Sequence, residues 1–365
     1  MRYTFAMFMK NCWYVAAYER ELEDGGPLGR TLLGEPVVMF RDSHGRAHAL
    51  EDRCCHRHLP LSLGQIAGDR MQCGYHGLEF DATGACVAVP GQSKVPPGAV
   101  IKAFPLVERW GFLWIWMGDA GKADPALIPD WWWVDAPGWG HNPGAFLHIQ
   151  CNYELITDNL LDLSHLGYVH TKTLGNSAIV DFPVKTERTG DWVRMSRWIE
   201  DRPPPPLFEA GGNFDGTVDR WQIVETEAPA HTVVYAGCGP VGAGEFGGPT
   251  EYDDGIHIRA LNAPTPETET SSFYFYSHVW DFRLDDAAWK LKMYDDFLMT
   301  FMEDVEILEA QQASLARDPD RPLIDLNVDA PGLAARRMVA ERIATEQDGA
   351  GRPDGCSPIG ESAKH

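Results

Sequence analysis

Residues 51–86 read EDRCCHRHLPLSLGQIAGDRMQCGYHGLEFDATGAC. Within them Cys54-x-His56 is followed, after sixteen intervening residues, by Cys73-x2-His76. Each arm offers one thiolate and one imidazole, and Pro60 and several glycines shape the turns around them. A zinc finger gathers both thiols in one turn and both imidazoles in another. Here the donors are interleaved as Cys, His, Cys, His. That order suits a [2Fe-2S] cluster with unequal irons, both thiolates on one and both imidazoles on the other. Exchanging two anionic thiolates for neutral imidazoles raises the reduction potential to roughly −150 to +300 mV, from about −400 mV. The competing readings are a structural zinc knot, or cysteines and histidines that fill a core.

Around this stretch, 365 residues leave room for two or more domains with substantial cores. A hydrophobic content of 44% and a charged content of 23% are those of an ordinary globular protein. The net charge of −22 makes a nucleic-acid backbone or an anionic membrane surface a poor partner. It suits docking to a basic electron donor, although most such charge is plain solvated surface. The eight cysteines are scattered, and two belong to the cluster motif. A disulfide framework is therefore not expected, and a reducing cytoplasm is. The first twenty residues lack a long apolar run and a small-residue cleavage site, and no apolar run of about 18 residues occurs elsewhere.

The expected fold class is α+β. Residues 9–120 alternate short strands and turns, as in Pro36-Val-Val-Met-Phe40 and Gly111-Phe-Leu-Trp-Ile-Trp-Met117. They read as an antiparallel β domain carrying the cluster on two loops. Residues 121–145 read as a connecting segment holding Asp130-Trp-Trp-Trp-Val134, whose three indoles cannot all enter one core. Residues 146–347 read as an antiparallel sheet with helices at 153–166, 286–315 and 332–346. The proline run 203–206 and the glycine-rich stretch 239–248 read as loops near an active-site mouth. Residues 348–365 read as a disordered tail.

A second metal site is legible at 153–170. On a continuous helix, Leu155, Ile156, Leu160, Leu163 and Leu166 form one apolar arc, and Asp158, Asp162 and His165 share the adjacent face. Carboxylates at i and i+4 repel unless a cation relieves them. Gly167 lets the helix end, so that His170 can swing back toward His165. A third donor is expected from the long C-terminal helix. There Asp304 sits at the edge of the stripe Phe297, Leu298, Phe301, Met302, Val305 and Leu308, while Glu303 is expected on the opposite side. His165, His170 and Asp304 would make a two-histidine, one-carboxylate set with open positions, as in non-heme Fe(II) oxygenases. An electron carrier holding the cluster alone would have no use for this set.

Taken together, Asn11-x-Trp13-Tyr-Val-Ala16, Cys54-x-His56, Pro60-Leu61-Ser62, Cys73-Gly-Tyr-His-Gly-Leu78, Asp158-Asn-Leu-Leu-Asp162-Leu-x-His165-x4-His170 and Glu303-Asp304 resemble Rieske non-heme iron oxygenase α-subunits. The vanillate and dicamba O-demethylase branch is the nearest in pattern, over roughly residues 10–347. The resemblance implies that Cys54, His56, Cys73 and His76 hold the cluster, with Cys55 and His58 as bystanders. It implies that His165, His170 and Asp304 hold a mononuclear Fe(II). Asp162 would bridge a cluster histidine and His165 across a subunit contact of a homotrimer, its carboxylate accepting from both rings. Asn159 matches an asparagine near the iron in some relatives, though the helical wheel puts it nearer the apolar arc. The implied partners are O2, an aromatic substrate and a flavin and ferredoxin-type reductase using NAD(P)H. The implied reaction is O-demethylation of a vanillate-like methoxybenzoate, the alternative being hydroxylation of another aromatic acid or its side chain. Where close relatives carry an Ala-Arg-Asn-Phe-like stretch, this chain has Val279-Trp280-Asp281-Phe282. His278, Asn262 and His231 are its candidate polar contacts to substrate.

Overall fold

The computed structural model describes residues 8–170, 181–212, 214–242, 244 and 255–348. It divides into two compact units. One comprises Phe8–Ile128 together with Thr265–Glu269, a short segment from far along the chain. There Thr265 Oγ1 donates to the Val15 carbonyl at 2.7 Å. The other comprises Pro129–Pro264 and resumes at Thr270. The expected tail from residue 349 onward, and most of the glycine-rich stretch 239–248, lie outside the described residues.

The first unit is built from three small antiparallel sheets. In one, Trp13–Tyr18 and Leu106–Arg109 flank Phe112–Trp116, whose five β-branched, aromatic or aliphatic residues are all buried. A second runs Leu28–Leu32, Glu35–Arg41, Ala47–Glu51, Ala103–Phe104. The third runs Gln65–Ala67, Arg70–Gln72, Glu79–Phe80, Cys86–Ala88. Val38, Phe40, Leu50, Leu61, Met71 and Phe80 form the core into which Cys54 and Cys73 are set.

The second unit is a seven-stranded sheet in the order Gly140–Ile149, Ser271–Trp280, Ile256–Thr268, His231–Pro240, Val218–Glu227, Trp192–Arg202, Val184–Thr189. Among the described residues four α-helices accompany it: α1 (Tyr153–Leu161), the short α2 (Pro206–Gly211), α3 (Ala287–Arg317) and α4 (Ala330–Gln347). One face packs against α1 and α3 through Leu155, Tyr274, Tyr276, Phe297 and Phe301. On the other, the wholly buried Arg259 has the rings of Tyr235, Trp139 and Trp133 within 4.9, 5.2 and 5.8 Å of its guanidinium carbon. The tryptophan run divides accordingly: Trp131 and Trp133 are buried, and Trp132 stays partly exposed. Among the described residues no helix is long and apolar enough to cross a membrane.

The stretch 153–166 is not one helix. It breaks at Asp162, whose carboxylate accepts from the Ser164 N–H at 2.9 Å and starts a separate 3-10 turn, Leu163–Gly167. A short side chain able to bond its own backbone competes with helix continuation, and here it wins. Asp158 is also drawn away from the face it was expected to share with Asp162 and His165. Arg336 of α4 donates through Nε to both Asp158 oxygens at 3.0 Å, and its Nη1 lies 3.4 Å from Glu154. The relief of carboxylate repulsion on α1 is thus an arginine. Burial still outweighs that attraction at Glu154, so its carboxyl sits above its ordinary pKa. Arg336→Met leaves two neighbouring carboxylates without their cation and should cost about 2 kcal/mol, since both keep some access to water. Urea titration followed by circular dichroism reads this as a lower midpoint; an unchanged midpoint would show that the pair contributes nothing.

Candidate metal centres

The two cluster loops are the same turn used twice. Cys54 N–H donates to Leu59 O at 2.9 Å, and His58 N–H donates back to Cys54 O at 2.9 Å. In the second loop Cys73 N–H donates to Leu78 O at 2.8 Å, and Gly77 N–H to Cys73 O at 3.0 Å. The left-handed position of this turn falls on His58 (φ 59°) in one loop and Gly77 (φ 72°) in the other. A histidine at such a position carries strain that glycine avoids. The loops approach closely: a Cβ at Gly64 would sit 2.0 Å from the Gln72 carbonyl oxygen.

This pairing sends Cys54 and Cys73 inward, 1% and 2% exposed, while His56 and His76 lie at the surface. The two imidazoles face each other edge-on, with centroids 4.6 Å apart. Burial, with Cys73 beside it, pushes the Cys54 thiol up to about 11. Two adjoining thiols in an apolar setting ionise together only around a cation. A buried thiol pair and an exposed imidazole pair fit the mixed donor set of a [2Fe-2S] cluster, which Cys54, Cys73, His56 and His76 would hold.

In the second unit His165, on the 3-10 turn, His170, beyond it, and Asp304, on α3, bring one donor atom each within 4.8 Å of one another. Asp304 Oδ1 lies 3.1 Å from His170 Nε2 and 3.6 Å from His165 Nε2. Two donors at right angles, each about 2.1 Å from one ion, stand about 3.0 Å apart. The Nδ1 atoms are engaged elsewhere: that of His165 with the Asp162 carbonyl at 2.5 Å, that of His170 with the Glu303 carboxylate at 2.8 Å. With Nδ1 donating, each Nε2 lone pair is turned toward Asp304, as metal-ligating histidines require. The donor set and its tautomers fit a mononuclear iron with open positions.

Two expectations change here. Glu303 is not on the far side of α3; it supports His170. The Nδ1 proton of His165 goes to the main-chain carbonyl of Asp162 rather than to its carboxylate, because the 3-10 turn folds that carbonyl back over the ring. Asn159, left undecided by the sequence, donates to Asp304 Oδ1 at 3.1 Å. Arg197 steadies the turn by donating to Ser164 Oγ at 2.9 Å. Burial opposes a charge on His170, but Asp304 and Glu303 together raise its pKa above the ordinary value.

These donors line a pocket of about 870 Å³, the open solvent at its mouth included. Asn262 lines it, but its amide nitrogen is committed to the Thr232 and Ala260 carbonyls and its oxygen to the Tyr274 hydroxyl. His278 and His231 are not among the lining residues. His278 is wholly buried and stacked on Phe297 with centroids 3.7 Å apart, and burial holds its pKa down to about 3. It packs as a neutral ring.

This pairing of a cluster fold with a two-histidine, one-carboxylate site is the equipment of a Rieske non-heme iron oxygenase. Residues 12–105 match the Rieske [2Fe-2S] domain family, and residues 149–345 the vanillate O-demethylase oxygenase C-terminal domain family. The toluene-4-sulfonate monooxygenase system iron-sulfur subunit TsaM1 of Comamonas testosteroni is 41% identical, over 95% of this chain and all of that protein. The vanillate O-demethylase oxygenase subunit of Pseudomonas sp. (strain HR199 / DSM 7063) is 40% identical, over 94% of this chain and 97% of that protein. A crystal structure of dicamba monooxygenase bound to dicamba superposes with a TM-score of 0.84 at 32% identity, covering 94% of this chain and all of that one.

The chain belongs to the vanillate and dicamba O-demethylase type of Rieske oxygenases, as the terminal oxygenase component of a monooxygenase. Its cofactors are a [2Fe-2S] cluster and a mononuclear iron. The Glu303 contact has a measurable consequence. Glu303→Ala removes the acceptor that orients His170 and should weaken Fe(II) binding by about 10- to 100-fold while leaving the visible spectrum of the cluster unchanged. Competition with a ferrous chelator measures this, and unaltered retention would show that Glu303 does not support the ligand.

Proposed function

We propose that the protein O-demethylates a methoxylated aromatic acid of the vanillate kind in the cavity beside Asp304. His165, His170 and Asp304 would hold the mononuclear iron, and Cys54, His56, Cys73 and His76 the cluster. The observation that carries this reading is the convergence of three donors, from the 3-10 turn, the loop after it and α3, onto the wall of a largely apolar cavity. When bound, these groups supply stored electrons and O2 activation. The balance is ArOCH3 + O2 + 2 e− + 2 H+ → ArOH + HCHO + H2O, the hydroxylated methyl collapsing to phenol and formaldehyde.

The chain's own residues do the rest. Three protein donors leave further positions open toward the cavity. Leu160, Leu166, Phe208 and Phe301 keep water from the reacting carbon. The acceptors at the Nδ1 atoms keep both Nε2 lone pairs aimed inward through the cycle. Electrons would come from NAD(P)H through a flavin and ferredoxin-type reductase in the cytoplasm. In a homotrimer, the Asp162 carboxylate would accept from His76 of the partner subunit and shorten the path between the centres. Asp162→Asn should then keep both metal centres and turn over about 100-fold more slowly; undiminished turnover would rule the bridge out.

Oxidation of an aryl methyl group is the second reading, favoured by the 41% identity to a toluene-4-sulfonate monooxygenase subunit. A panel of methoxy- and methyl-substituted aromatic acids, with a surrogate reductase, separates the two. Formaldehyde released in step with phenol and O2 uptake is the expected result. Hydroxymethyl products from methyl arenes without formaldehyde from any methoxy arene would overturn it.

A further inference from the structure

The cavity beside Asp304 is walled mainly by carbon, from Leu160, Leu166, Leu207, Phe208, Val234 and Ile258 among others. A full positive charge lines it as well. Arg220, on the strand Val218–Glu227, stands across the ladder from Ile199 on one side and Cys238 on the other, on the same sheet face as Gln222. It is 4% exposed. Among the described residues its guanidinium has neither an ion-pair nor a hydrogen-bond partner.

The other arginines of this sheet show how unusual that is. Arg194 pairs with Glu225 at 3.1 Å, and Arg197 donates to Ser164. The carboxylate next to Arg220 in sequence, Asp219, is already taken by the Asp201 and Gly242 N–H groups at 3.0 and 2.8 Å. Burial pushes the Arg220 guanidinium down to about 10, with only Cys238 opposing, so it remains charged at neutral pH. A charge removed from water and left unpaired is among the most costly arrangements a fold can hold. At the wall of a ligand cavity, the missing counter-charge is one that a ligand brings.

We infer that Arg220 is the anion anchor of the cavity, pairing with the carboxylate or sulfonate of an aryl anion whose ring lies among the aliphatic side chains and whose reacting alkyl group faces His165, His170 and Asp304. This rests on the proposed function in placing the substrate in this cavity, and deepens it by naming the group that selects for charge. A guanidinium presents two parallel N–H donors, which match two oxygens of either anion. A neutral arene of the same shape would leave the guanidinium stripped of water and still unpaired. Arg220 thus selects by charge as well as by fit.

Binding of unreactive ligands to the iron-loaded, cluster-containing protein tests this without turnover. Benzoate and benzenesulfonate serve as the anions and benzamide as the neutral match, with affinity read by calorimetry. The wild-type protein should bind at least one anion more than about 10-fold tighter than benzamide. Arg220→Gln should weaken that anion by about 100-fold and benzamide by no more than about threefold, with Arg220→Lys between. Loss for benzoate alone, or benzenesulfonate alone, supports the anchor and identifies its anion. Equal affinity of the wild-type protein for benzamide and both anions, or unchanged anion affinity in Arg220→Gln, overturns it. The wild-type comparison decides the matter should Arg220→Gln fail to fold. Because no formaldehyde is measured, a failure of the proposed demethylation leaves this result standing. Conversely, Arg220→Gln demethylating a methoxybenzoate with unchanged KM would sink the anchor and leave the reaction intact.

Discussion

The second unit depends on the placement of one carboxylate, Asp304. Set on a face of α3 that is largely apolar, a carboxylate is tolerable only among donors and cations. The fold supplies Asn159 from α1 and two imidazoles from the turn and loop that follow. For the imidazoles to face Asp304, α1 must stop after Leu161 and the chain must tighten into a 3-10 turn. Asp162 brings this about by taking the Ser164 N–H, and the same turn sets the Asp162 carbonyl against His165 Nδ1. The residue expected to bridge the two metal centres is therefore also the one that ends the helix and orients His165, the proposed iron ligand.

Among the described residues, several buried charges of the unit are paired within the protein, and the Arg220 guanidinium is not. Arg336 neutralises the carboxylates of α1, Glu303 supports His170, and Glu225 holds Arg194. Arg259 is surrounded by aromatic rings on the far face of the sheet. Against that background, the lone guanidinium of Arg220 beside an apolar cavity indicates what kind of molecule the cavity is shaped to receive.

Much of this was legible in the residues because its determinants are local. Interleaved Cys and His at fixed spacing report two tight turns, and both turns close through hydrogen bonds four and five residues apart in the chain. His165, His170 and Asp304 could be picked out because a carboxylate in an apolar stripe and a histidine pair around a glycine are sequence patterns. What was not legible depends on contacts distant in sequence. A helical wheel placed Asp158 with Asp162 and His165, and had no means of knowing that Arg336, 178 residues on, would claim it. It placed Glu303 opposite Asp304, although adjacent positions on α3 both reach His170 from different sides. His278 drew attention as a polar residue near a divergent stretch, yet its ring is stacked and neutral. Arg220 gave no signal, since an arginine in a strand becomes unusual only once its neighbours are known.

The central claim is that one protein chain holds a mixed-ligand cluster and a separate iron at His165, His170 and Asp304. Iron and acid-labile sulfide determined on the reconstituted protein, beside His165→Ala, test it most directly. The account predicts about three irons and two sulfides per chain, falling to about two irons in the variant with its sulfide and cluster absorbance intact. Two irons per chain in the unaltered protein, or the same content in both, would contradict it.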